Sequence, residues 1–250
     1  MQPLLLTIVV GIFIVGGIFI GSTSIHNDKF LDLSIGIALG VISMLVLMEL
    51  FPDVYEHIDF QSRWRTHSFI AIVVVIGFLI TNILDKIVPH HHTAPHKDKK
   101  EAETLHHMHL GHVGILASIA FILHNVIEGM TLYVTASESM KAGYLLCVGI
   151  SLHNIPMGVV IAGTLRKRKQ LIISTILLSL SAFFGGLVMH LLNIQNELAI
   201  GILISLTIGM LIYIAIMELL RKVIRSQNKH INLFGIAIGV AIIVISIILG

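Results

Sequence analysis

Apolar runs of about 20 residues recur along almost the whole chain, and they constrain it more than any other feature. The stretch Leu4–Ile20, with no charged residue, is the first of them. A run of that length is what a helix needs to cross the hydrocarbon core of a bilayer. Membrane-spanning strands would have to close into a barrel and would alternate apolar with polar residues. These runs are continuous, so helices are expected. Composition agrees: 56% of the 250 residues are apolar, only 12% are charged, and the mean hydropathy is +0.95. A soluble domain carries roughly twice that charged fraction.

Eight spans are expected: 3–21, 33–51, 67–84, 112–136, 141–165, 171–192, 198–221 and 231–249. The first lacks a basic leader and a small-x-small cleavage site, so it reads as a span and not as a signal peptide. Residues 1–250 then form a single transmembrane domain, with no stretch left for a soluble one. The formal charge of +2 gives no reason to expect nucleic acid. The single cysteine, Cys147, excludes an intramolecular disulfide.

Basic residues next to spans stay on the cytoplasmic side. The odd-numbered loops hold Lys29, Lys86, Lys97, Lys99, Lys100, the Arg166–Lys169 run, Arg221, Lys222, Arg225 and Lys229; the even-numbered loops hold only Arg63, Arg65 and Lys141. Both termini should therefore lie outside and the long third loop inside. That loop, residues 85–111, is expected to be a disordered cytoplasmic segment. It carries most of His90, His91, His92, His96, His106, His107, His109 and His112, plus Pro89 and Pro95. Histidine tracts of this kind bind Zn²⁺, Cu²⁺ or Ni²⁺ loosely; a plain polar linker would read the same way.

Two helix pairs look alike. Gly40 through Met48-Glu49-Leu50 resembles Gly209 through Met217-Glu218-Leu219, with the same spacing. His124-Asn125 in span four matches His153-Asn154 in span five, each with a glycine five residues after its histidine, Gly129 and Gly158. In the orientation above each pair runs antiparallel, the pattern of an inverted repeat with a site near mid-membrane.

Ionisable groups inside spans are expensive and mark function. His124 and Glu128 are spaced i, i+4 and share a helix face, with Asn125 beside it. Span five supplies His153 and Asn154, followed by Pro156, which removes a backbone donor. Met157 stands where a partner to Glu128 would be, and a thioether is a soft, uncharged ligand. Imidazole and carboxylate suit Zn²⁺, and also Fe²⁺ or Mn²⁺. The candidate metal ligands are thus His124, Asn125, Glu128, His153, Asn154 and Met157. Glu49 and Asp53 at the outer end of span two and Glu218 at the inner end of span seven are candidates for the mouth and exit of a cation path.

At these residues the chain resembles the ZIP (Zrt-, Irt-like) family of metal transporters. The segments that carry the resemblance are His124-Asn125-Val126-Ile127-Glu128-Gly129 and His153-Asn154-Ile155-Pro156-Met157-Gly158. The resemblance implies a bundle of eight helices in a three-plus-two-plus-three inverted arrangement. It also implies transport of a divalent metal towards the cytoplasm and a binuclear site, with His124, Glu128 and His153 on the first metal and Asn125 and Asn154 on the second. The chain departs from the family twice. Met157 replaces the bridging glutamate of span five, and Ser181–Gly186 lacks the Glu-Pro pair of span six. A mononuclear site is therefore expected.

The expected function is transport of Zn²⁺ by a multi-pass protein of the cell membrane, the inner membrane in a bacterium. Membrane lipid and the metal substrate are the expected partners, and the glycine-rich helices leave packing within a protomer or in a homodimer open. A metal-binding sensor that does not transport is the alternative. A membrane metalloenzyme is a weaker one: there is no His-Glu-x-x-His, and His106-His107-Met108-His109 lacks the companion histidine boxes of an oxygenase.

Overall fold

A computed structural model describes residues 2–23, 28–87, 99–165, 167–192 and 196–249; the side chains of residues 28, 31, 87, 99–113, 138 and 249 lie outside this description. Among the described residues every regular element is helical. Eight helices are long and apolar enough to cross a membrane, in agreement with the apolar runs.

The first span is α1 (Gln2–Thr23). The second is α2 (Asp28–Leu45), a π-helical turn (Val46–Leu50) and α3 (Phe51–His57). The third is α4 (Arg63–Ile87) and the fourth α5 (Lys99–Glu138). The fifth is α6 (Met140–Thr164) and the sixth α7 (Arg168–Leu192). The seventh is α8 (Glu197–Tyr213), a second π-helical turn (Ile214–Leu220) and α9 (Arg221–Arg225). The eighth is α10 (Lys229–Leu249).

Span two continues past its expected end at Phe51, through Pro52, to His57. Proline has no N–H and crowds the preceding turn. Here that turn is π-helical: the Phe51 N–H donates to the Val46 carbonyl, five residues back. The wider turn precedes a Pro52 that sits in the first turn of α3, where a missing N–H costs least. Span four also differs from expectation. It begins at Lys99, so residues 99–111 of the expected irregular loop are helical; Glu101, Ala102, Glu103 and Leu105 are good helix formers. His90, His91, His92 and His96 lie outside the described residues, as do the side chains of His106, His107, His109 and His112.

Spans four and five form a tight hairpin. Only Ser139 separates them, and its hydroxyl caps span five by accepting from the Ala142 N–H. Span five packs on span one, four on six, two on eight and three on seven, with spans one and six also in contact. Spans four and five are central: 67% and 72% of their apolar stretches are buried, against 22% for span three. The main core joins Ile14, Leu45, Phe121, Met157, Ile161 and Leu211. Large side chains that stay exposed, such as Ile76, Leu79, Ile176 and Phe184, face outward, where lipid replaces water as solvent.

Helices of a membrane bundle gain from close backbone approach, and glycines provide it at several crossings, two of them on the helices of the histidine motifs. A Cβ on Gly129 would lie 1.9 Å from the Ala182 carbonyl oxygen, and one on Gly158 would lie 2.3 Å from that of Ile14. These crossings lock span four to span six and span five to span one. Gly11 and Gly17 likewise sit against Ser179 and Ile155, and Gly185 against Val126. These glycine-rich faces therefore pack within the protomer.

Candidate metal centre

One turn of helix separates His124 from Glu128, so both project from the same face of span four towards span five. His153 meets them there. Glu128 Oε1 lies 2.6 Å from His153 Nε2 and 3.1 Å from His124 Nε2. One ligand atom from each of the three residues falls within 4.8 Å of the others. All three are buried, His124 completely.

Two observations set this cluster apart from an ordinary interhelical hydrogen bond. Both His124 ring nitrogens and Glu128 Oε2 are buried without a hydrogen-bond partner among the described residues. The 3.1 Å approach of His124 to Glu128 is therefore a contact without hydrogen-bond geometry. Buried polar atoms normally find partners, and leaving them without costs about 1–3 kcal/mol each. A metal ion satisfies imidazole nitrogens and carboxylate oxygens at once. Donors around a tetrahedral Zn²⁺, each about 2.0–2.2 Å from the ion, stand roughly 3.3 Å apart. The His124–Glu128 separation is already close to that. The His153–Glu128 separation needs to open by under about 1 Å when an ion replaces the hydrogen bond.

His153 is oriented from behind. Ser246 of span eight donates its hydroxyl hydrogen to the Gly149 carbonyl at 2.6 Å, and its oxygen lies 3.4 Å from His153 Nδ1. A second partner on one ring nitrogen leaves the other aimed at the site. Sequence reasoning missed Ser246. The available signal was a lone hydroxyl inside the apolar run of span eight, which is also what an inert i−4 bonded serine looks like.

A cavity of 310 Å³ reaches the cluster, walled by Glu49, Asp53, Glu56, His124, Glu128 and His153 with apolar neighbours. Four of its wall residues are carboxylates, and among the described residues no lysine or arginine lines it. A cleft of one sign within low-dielectric walls concentrates counter-ions, here cations. The expected mouth residues Glu49 and Asp53 thus share one cavity with the cluster. Above it His57 lies between Asp53, at 3.5 Å, and Glu197, to which it hydrogen-bonds. That contact ties the outer end of span two to the start of span seven.

The remaining candidates lie elsewhere. Asn154 donates to the Val10 carbonyl of span one at 3.2 Å, and its own oxygen is unpartnered; neither amide atom of Asn125 has a partner among the described residues. Met157 is buried in the apolar core and does not line the cavity. Ser181 spends its hydroxyl on the Leu178 carbonyl, and the backbone around it forms the crossing with Gly129. His190 accepts from or donates to the Tyr133 hydroxyl at 2.7 Å, away from the cluster.

The family model for ZIP Zinc transporter matches residues 3–114 and 89–247. The chain belongs to this family. Individual relatives agree along most of their length. The Zinc transporter ZupT of Clostridium perfringens is 24% identical over 251 residues, covering 89% of this chain and 86% of the relative. That of Streptococcus mutans is 24% identical over 243 residues, covering 94% and 92%. That of Campylobacter jejuni is 26% identical over 280 residues, covering 98% and 94%. As a ZIP protein with eight helices long and apolar enough to cross a membrane, the chain is a multi-pass membrane metal-ion transporter rather than an enzyme.

Proposed function

We propose that this ZIP protein carries Zn²⁺ into the cytoplasm through a single site made by His124, Glu128 and His153. The observation that carries the reading is the convergence of their three buried ligand atoms within 4.8 Å, at the end of an acidic cavity. Ions collect at Glu49 and Asp53, then exchange hydration water for the two imidazoles and the carboxylate. Three protein ligands hold the ion without enclosing it, and conduction needs a site the ion can leave. Fe²⁺ and Mn²⁺ offer the same coordination chemistry and compete for the site. The relatives are zinc transporters by name, which favours zinc.

One ion is proposed because the second position lacks its carboxylates. Met157 lies in the core, Asn154 is engaged with Val10, and Ser181 with its own helix. Met157 is read as packing, and Asn125 and Asn154 as neutral neighbours of the single ion.

The inverted repeat is supported by the packing. Exchanging spans one, two and three with six, seven and eight, and four with five, turns each contact pair into another of the same set. One on five becomes six on four; two on eight becomes seven on three. The two Met-Glu-Leu segments also both lie in π-helical turns. With the basic loops inside, we read both termini as outside and residues 85–111 as cytoplasmic, where their histidines accept emerging ions.

Equilibrium binding of Zn²⁺ to the purified chain tests the site. Glu128→Ala is expected to bind one ion fewer per chain than wild type, over and above whatever the histidine-rich loop takes up; an unchanged stoichiometry in that variant would refute it.

A further inference from the structure

The two π-helical turns carry the same residues and then diverge in charge. Four residues after Glu49 stands Asp53; four residues after Glu218 stands Lys222. On span two both positions are carboxylates and both line the open cavity. On span seven the equivalent face carries one carboxylate and one ammonium.

Lys222 makes an unusual choice for a lysine near the end of a span. Its neighbours Arg221 and Arg225 are exposed, as long cationic side chains at membrane ends usually are. Lys222 has the same route to the interface. Its Nζ is instead buried, with no hydrogen-bond partner among the described residues. Such burial is costly unless an opposite charge compensates. The carboxylate of Glu218, itself only 6% exposed, lies one turn back and acts on it electrostatically. Among the described polar groups nearby, Tyr213 hydrogen-bonds Asp85 of span three, and Arg221 contacts Met217 Sδ at 3.2 Å. The turn that holds Glu218 packs on span two and on span four, the helix of His124 and Glu128.

We propose that Lys222 is a built-in counter-cation for Glu218, masking a carboxylate site for divalent cations on the inner half of span seven. The ammonium occupies the field that a departing metal ion would otherwise enter. A divalent ion gains access to Glu218 only by displacing the lysine, and the lysine returns once the ion has left. The inner carboxylate therefore does not retain metal at rest, while the outer pair, Glu49 and Asp53, stays open to it. The proposal rests on the reading above that ions leave towards the inner ends of the spans.

Zn²⁺ stoichiometry of the purified full-length chain tests it. Lys222→Met is expected to bind one ion more per chain than wild type. The added ion should vanish in Lys222→Met/Glu218→Gln and persist in Lys222→Met/Glu128→Ala, whose total then equals that of wild type. Lys222→Arg keeps the charge and should match wild type. If Lys222→Met fails to elute as a single folded species, Lys222→Gln carries the same comparison. A folded neutral variant with the wild-type stoichiometry, or an added ion that survives Glu218→Gln, overturns the proposal. Loss of the first ion in Glu128→Ala reports separately on the main site, so failure of one reading is distinguishable from failure of the other.

Discussion

The carboxylate of Glu128 in span four meets the imidazole of His153 in span five at 2.6 Å, and this contact joins the two histidine motifs across a helix pair. Residues 25 positions apart converge because Ser139 alone turns the chain between the helices. The hairpin therefore acts as the scaffold of the ligand set, and the crossings at Gly129 and Gly158 hold that scaffold against spans six and one.

The glycine crossings give a stability prediction. Gly129→Ala places a Cβ 1.9 Å from a backbone oxygen, which cannot swing aside as a side chain does. A loss of about 1–3 kcal/mol or more is expected, read as a lower unfolding midpoint in detergent. Gly16 has nothing within 4 Å of its added Cβ, so Gly16→Ala should leave the midpoint unchanged.

Ser246 supports His153 without touching the ion. Ser246→Ala removes the partner of Nδ1 and frees the ring to rotate. Removing such outer support weakens metal binding by about 10–100-fold. Titration with a competing chelator dye measures this, and an unaltered Kd would show that Ser246 merely bonds the Gly149 carbonyl.

Met157 is core packing in this account, since it is buried among apolar side chains away from the cavity wall. Met157→Leu keeps the volume and removes the thioether. Zn²⁺ affinity should stay within about twofold, because volume-conserving core changes are well tolerated. A tenfold loss would make the sulfur a ligand.

In the proposed function Glu49 and Asp53 attract cations into the cavity they line. Glu49→Gln and Asp53→Asn should lower uptake mainly at Zn²⁺ concentrations below KM. The loss should shrink as ionic strength rises, since screening already weakens the steering they provide. Uptake reduced equally at saturating Zn²⁺ would place Glu49 in the binding step itself.

Much of this was legible in the sequence because lipid leaves few options. Apolar runs of spanning length must be helices, and all eight could be marked before any coordinate. His124, Glu128 and His153 stood out as ionisable groups where such groups are costly. What failed to show was whatever depends on side-chain direction or local backbone geometry. Pro52 signals a helix end, yet a π-helical turn carries span two through it to His57. Met157 occupies a ligand's place in the motif but lies in the core, which only the tertiary packing reveals. Lys222 reads as one more cytoplasmic charge, and its burial beside Glu218 is a tertiary fact.

Zn²⁺ uptake into proteoliposomes, wild type against Glu128→Ala, tests the central claim most directly. The account predicts saturable uptake by wild type and its near-complete loss in the folded variant. Uptake that persists without Glu128, or a wild-type chain that binds Zn²⁺ at His124, Glu128 and His153 yet moves none across the membrane, would contradict it.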